Sequence, residues 1–198
     1  MIILLISGSP AHPSSSGRLL QHIGERLAAL GHPYGRLHVR DLPPQALLLG
    51  QADEPALRRA LDAVAAADAV VIATPVYKAS FSGLLKAFLD LLPQDGLAGK
   101  VVLPLATGGS QSHLLALDYA LRPVLQALEA KQVLGSIFAT PQQLQWDDER
   151  GLTLAPPIAA RMDAGVRGLA EALVPRETGR RAPGSIEVVQ VPALDRSA

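Results

Sequence analysis

At 198 residues, of which 48% are hydrophobic, the chain is long enough for one full core and short for two. Eighteen Lys and Arg balance eighteen Asp and Glu, so no net charge argues for nucleic acid or an anionic membrane as partner. There are no cysteines, which excludes thiol redox chemistry, Cys-ligated zinc, iron–sulfur clusters and disulfides; to move electrons, such a chain must borrow a cofactor.

Ile2 to Ile6 reads as a fully buried strand. It could be mistaken for a signal peptide, but it lacks a basic n-region, and no apolar run approaches the roughly 20 residues that span a bilayer. A cytoplasmic protein is the expectation. After a Gly/Ser/Pro loop, Leu19, Leu20, Ile23, Leu27 and Leu30 recur at helical spacing and Gly31 follows as a stop. Tyr34 to Val39 is a weaker, alternating strand, closed by an Asp41–Pro44 loop. Pro55 to Ala67 is an alanine-rich helix with Leu57, Leu61 and Val64 on one face. The strand Ala69 to Ala73 leads to a helix over about Ser82 to Leu92, and Val101 to Leu105 forms another buried strand. A helix over His113 to Ala130 and a fifth strand, Val133 to Ala139, come next. An irregular stretch, Pro141 to Pro157, precedes a last helix over about Ile158 to Leu173. Alternation of five strands with five helices predicts an α/β fold, a doubly wound parallel sheet with helices on both faces. The flavodoxin-like order 2-1-3-4-5 is the expected version, with one domain over residues 1–174. The Arg-, Pro- and Gly-rich residues 175–198 read as an extended or disordered tail.

In such a sheet, ligands bind at the crest where strands end. Three loops there carry the functional argument. The first, Ser7 to Gly17, holds Ser9, Pro10, Ser14, Ser15 and Ser16 at the head of a helix. Serine hydroxyls, free N–H groups and the positive end of a helix dipole suit a phosphate monoester. The loop is neither a Walker A motif nor a GxGxxG fingerprint, and serine-rich loops are also ordinary solvated turns. The second, Pro75-Val76-Tyr77-Lys78 with Ser80, is stiffened by its proline and offers an aromatic face; Ser80 or Ser82 can cap the helix that follows. The third, Thr107-Gly108-Gly109-Ser110, lets backbone lie against a flat ring with N–H groups aimed at its edge. Each loop alone is also a plain turn. Together they fit FMN, with its phosphate in the first loop and its ring between the other two.

The segments GSP with PSSS, TPVYKASFSGLLKAFLDLLP, VVLPLATGGS and HLLALDYALRPVLQAL resemble the flavodoxin-like NAD(P)H-dependent FMN reductases of the SsuE type, over roughly Ile2 to Leu173. The resemblance implies FMN as bound flavin and substrate, with NADPH or NADH as hydride donor. It also implies delivery of reduced flavin to an alkanesulfonate-type monooxygenase in sulfur metabolism. By position, Ser9, Ser14, Ser15 and Ser16 match the family's phosphate loop, and Pro75, Val76, Tyr77, Lys78 and Ser80 its ring-binding crest. Thr107, Gly108, Gly109 and Ser110 match the opposite loop. Relatives often carry an arginine in the phosphate loop, where Ala11 and Ser15 here are uncharged; Arg18 lies one turn into the helix.

Tyr119 precedes Pro123 by four residues, and proline has no N–H for the Tyr119 carbonyl, so the helical ladder must be irregular. Such sites adopt π-bulges, which gather at functional positions; a plain proline kink is the alternative. The resemblance implies a Tyr inserted at a π-bulge, at a subunit interface near the flavin, where it tunes flavin release. The apolar circumference of this helix predicts burial in a homodimer or homotetramer. No side chain is assigned as a catalytic acid or base, because hydride transfer is intrinsic to the two cofactors. The histidines show no metal-ligand spacing, Asp147-Asp148-Glu149 reads as a solvated acidic turn, and Trp146 could line the crest but reads first as a packing residue. Two rivals remain: a quinone or azo reductase that keeps FMN as a prosthetic group, and a non-catalytic flavodoxin-like carrier. The carrier would call for an acidic surface, which a neutral chain lacks.

Overall fold

The structure, a computed structural model, describes residues 1–147, 149 and 151–174. The expected tail lies outside the described residues, as does Asp148. The elements run β1 (Ile3–Ser7), α1 (Ser15–Ala29), β2 (Tyr34–His38), α2 (Pro44–Leu48), α3 (Pro55–Ala66), β3 (Ala69–Tyr77), β4 (Ser80–Phe81) and α4 (Gly83–Leu89). They continue with β5 (Val101–Thr107), α5 (Arg122–Ala127), β6 (Gln132–Val133), β7 (Ile137–Ala139), β8 (Leu144–Asp147), β9 (Gly151–Leu154) and α6 (Pro156–Leu173). The main sheet is parallel in the order β2-β1-β3-β5, with β6 and β7 sharing the far edge. This is the flavodoxin-like order that the sequence predicts.

Alternate residues of each strand face opposite layers, as strand geometry requires. Ile3, Leu5, Val71, Leu103 and Leu105 pack on α1 and α6 through Leu19, Ile23, Leu27, Met162 and Leu169. Leu4, Ile6, Val70, Ile72, Val102 and Phe138 pack on α3, α4 and α5 through Leu57, Val64, Leu85, Phe88 and Leu125. Both faces are covered, so the inner strands are apolar throughout. Gly31 ends α1 at φ +83°, a conformation that side chains resist.

Four local expectations need correction. The fifth strand is split, and Pro104 explains the break. Leu134 N–H donates to Val102 O, so even-numbered residues of β5 present their backbone to this edge, and Pro104 has no N–H to offer. Pairing lapses over residues 134–136 and resumes at Leu105–Ile137. The loop after Asp41 contains the short helix α2. The stretch from 141 to 157 is not irregular: Leu144–Asp147 and Gly151–Leu154 form an antiparallel hairpin. The predicted helix over His113 to Ala130 is three pieces, a 3-10 turn (Gln111–Leu114), a π-helical turn (Leu117–Leu121) and α5. In the π turn, Arg122 N–H donates to Leu117 O, five residues back. The irregularity that Pro123 predicts therefore falls on Tyr119 as a π turn.

Candidate functional site

The three loops meet along one edge because their strands are neighbours in register. Ser7 lies beside Ala73, Pro75 beside Thr107, and Thr107 beside Ala139. Ser14 is the N-cap of α1, its Oγ accepting from Gly17 N–H at 3.1 Å. Ser9 is buried, and its Oγ accepts from Ala11 N–H at 3.2 Å. Both hydroxyls thus shape the loop. Ser16 differs: it is 1% exposed, yet its Oγ has no hydrogen-bond partner. The N–H groups of Ser15 and Ser16, the first two of the helix, also have no acceptor among the described residues. An orphaned buried hydroxyl beside two free N–H groups, at the positive end of a 15-residue helix, fits a phosphate. Pro10 is exposed at the loop's outer bend.

The second loop is tighter than expected. β3 runs on to Tyr77 and turns back through Lys78 and Ala79 into β4, with Tyr77 opposite Ser80. Lys78 (φ 49°) and Ala79 (φ 62°) are both left-handed, as in a two-residue hairpin of the type that usually carries glycine or asparagine. Thr74, fully buried, holds the base: its Oγ1 donates to Pro75 O at 2.9 Å and accepts from Ser82 N–H at 3.0 Å. Ser82, rather than Ser80, caps α4, accepting from Leu85 N–H at 3.1 Å and donating to Gly8 O. One hydroxyl thereby ties the second loop to the first. Tyr77 is half exposed, Lys78 is exposed, and Pro75, Val76 and Ser80 are partly buried.

In the third loop, Thr107 is buried in β5 and Gly108 packs under Phe138, where a Cβ would come to 3.0 Å of the ring. Close packing on Phe138 requires this glycine, and its N–H is committed to Ala139 O at 3.2 Å. The expectation that both glycines direct N–H groups at a ring edge therefore narrows: Gly109 and Ser110, both exposed, keep N–H groups without an acceptor among the described residues. Ser110 Oγ pairs with Ser112. Tyr119 stands 78% exposed on the π turn, and that turn packs against β4, bringing it to the flank of the crest hairpin.

Sequence reasoning did not find Thr74 or the double role of Ser82; their signal, polar residues at a strand end and a helix start, is common to many turns. For Trp146 it favoured packing over a place at the crest. The ring lies over the Arg18 guanidinium at 4.2 Å and lines a cavity of ≈ 260 Å³ beside the first loop.

A parallel sheet in this order, with a helix N-terminus fit for a phosphate and an aromatic loop on adjacent strands, is the architecture of the flavodoxin-like proteins. The signature of the NADPH-dependent FMN reductases matches residues 1–145. The chain belongs to that family, and is an oxidoreductase that uses FMN and a reduced pyridine nucleotide. It is 42% identical over 177 residues to "FMN reductase (NADPH)" of Escherichia coli K12, covering 89% of this chain and 92% of that one. It is 48% identical over 146 residues to the protein of the same name from Pseudomonas putida KT2440, covering 74% of each. The apo crystal structure of an NADH:FMN oxidoreductase superposes with a TM-score of 0.81 at 40% identity, covering 89% of this chain and 91% of that one. No helix among the described residues is long and apolar enough to cross a membrane.

Proposed function

We propose that this reductase takes FMN as a substrate it releases once reduced, and supplies a flavin-dependent monooxygenase of the alkanesulfonate type. The openness of the crest carries this reading. Tyr77, Lys78, Ala79, Gly109 and Ser110 are all exposed, so the ring rests on backbone and one aromatic face instead of inside a closed pocket. A flavin held in this way has little apolar area to lose on leaving.

In this reading Ser16 Oγ and the Ser15 and Ser16 N–H groups hold the phosphate. Pro75, Val76 and Tyr77 carry one side of the ring, and Ser80 braces their hairpin. The Gly109 and Ser110 N–H groups, without an acceptor among the described residues, would stabilise negative charge on a reduced flavin held there. Bound FMN supplies the hydride acceptor and the nicotinamide the hydride. No side chain need move a proton. Tyr119, exposed on a π turn that packs against the crest hairpin, limits how tightly flavin is retained, and the exposed Leu115 and Tyr119 meet a second subunit in a cytoplasmic homodimer or homotetramer, since Leu117, Leu121, Leu125 and Leu128 are buried in the chain's own core.

The test is NADPH oxidation under air by purified protein, with and without added FMN. Nearly colourless protein whose rate saturates with free FMN supports the reading, and coupling to a monooxygenase completes it. Yellow protein whose rate ignores added FMN but rises with a quinone overturns it in favour of a prosthetic flavin. Tyr119→Ala should purify with more flavin; a variant as colourless as the parent removes Tyr119 from the release step.

A further inference from the structure

Beside the crest proposed for the flavin, at the β2 end of the sheet, lies a second concave feature. The cavity of ≈ 260 Å³ opens between the outer side of the first loop, the α1-facing side of β2 and the β8–β9 hairpin. Its polar lining is His12, Ser14, Arg18, Gln21, Arg36 and His38, with Trp146 at the mouth and Leu5 and Leu20 in the floor. No Asp or Glu lines it among the described residues. It shares Ser14 and Gly17 with the first loop, but Ser9, Ser15, Ser16, Tyr77, Gly108 and Gly109 do not line it, so it adjoins, without including, the donors and the crest proposed above for the flavin.

Edge strands usually put solvent-soluble residues on their open side, but here the register places Tyr34, Arg36 and His38 on the same face as Ile3, Leu5 and Ser7. Two arginines and two histidines thus converge over an apolar floor. Arg18 forms no ion pair among the described residues; its guanidinium stacks on Trp146. Arg36 donates to Tyr34 Oη at 2.7 Å and has no carboxylate partner there either. His38 feels the cluster. Burial chiefly lowers its affinity for a proton; Asp41 opposes, and Arg40, His12 and Arg36 add to the lowering. Two unpaired guanidiniums beside a stacked indole suit a phosphate monoester on a planar base.

We propose that this cavity binds the adenosine 2′-phosphate end of NADPH, the phosphate between Arg18 and Arg36 and the adenine against Trp146. The inference rests on the reading that nicotinamide meets flavin at the crest between β3 and β5. From there to the β1–β2 end is two strand spacings, roughly 10 Å along the same edge. An extended dinucleotide spans that gap. A 2′-phosphate held here gives the chain its means of distinguishing NADPH from NADH.

Trp146 is the sole tryptophan, so flavin-free protein carries its own reporter. Its emission is titrated with adenosine 2′,5′-bisphosphate, with adenosine 5′-monophosphate and inorganic phosphate in parallel. A saturable change with the bisphosphate, at least about tenfold tighter than with the monophosphate, is expected, as is its loss in Arg36→Gln. In turnover, Arg36→Gln should raise the KM for NADPH about tenfold, leaving the KM for NADH and the affinity for FMN unchanged. No change in emission overturns the proposal, as does an equal response to inorganic phosphate. An Arg36→Gln variant that weakens FMN as much as NADPH hands the cavity to the flavin phosphate. The titration needs neither flavin nor turnover, so it can succeed or fail independently of the reductase assay.

Discussion

Ser82→Ala removes a single hydroxyl at the point where two loops of the site are joined. Ser82 is 1% exposed; its Oγ caps α4 by accepting from Leu85 N–H and holds the first loop by donating to Gly8 O. Loss of a serine cap costs about 1 kcal/mol. The Gly8 carbonyl, also buried, loses a partner at a cost of about 1 kcal/mol more. Together about 2 kcal/mol in a domain of this size lowers Tm by about 4–8 °C. Thermal unfolding by circular dichroism reads the first effect. Titration of flavin-free protein with FMN reads the second, since a freed first loop presents its donors less firmly and binding should weaken. Ser80→Ala is the control: its side chain forms no hydrogen bond among the described residues, and Tm should stay within about 1 °C of the parent, as for a substitution away from such features. A Ser82→Ala variant that also stays within about 1 °C would refute the reasoning, because the predicted loss is several times larger.

Ser16→Ala should leave the flavin-free protein as stable as the parent, since the hydroxyl is buried without a partner, yet weaken FMN by about tenfold, the worth of a hydrogen bond to a charged group; unchanged FMN affinity would take Ser16 out of the phosphate cradle. Lys100→Met should cost about 3 kcal/mol in urea unfolding. The buried Lys100 Nζ donates to Ala65 O and Ala67 O, each at 2.8 Å, at the end of α3, and these carbonyls would be left unpaired. Ala79→Gly should raise the free energy of unfolding by up to about 1 kcal/mol, because alanine at φ 62° carries left-handed strain that glycine does not; a lower free energy of unfolding would mean that the hairpin is not strained. His22 and His38 both hold their protons less readily than the ordinary 6.5, chiefly because each is partly buried. A depressed histidine binds fewer protons folded than unfolded, so stability is full above that value and declines as pH falls below it. Tm should drop between neutral pH and mild acid, and the His22→Gln, His38→Gln double variant should drop less; equal slopes would dismiss both groups as the cause.

The order of the sheet, both core faces and the meeting of three loops at one edge were legible in the chain, because burial on two sides leaves continuous apolar strands and alternation leaves little freedom of topology. Ile3–Ser7, Ala69–Ala73 and Val101–Leu105 are such runs. The π turn at Tyr119 was legible too, since a missing proline N–H is a property of the residue itself. What the chain alone did not decide depends on partners distant in sequence. Pro104 breaks a strand that it does not belong to, and only the pairing of β5 with the far edge reveals which. Gly108 looks like a ligand glycine until Phe138 is found against it. Ser16 and Ser14 are the same residue type two positions apart, and packing alone leaves one hydroxyl satisfied and the other open. Trp146 and Arg36, 110 positions apart, line one cavity only because the β8–β9 hairpin folds back toward β2, and local sequence patterns hold no record of a contact made over that distance.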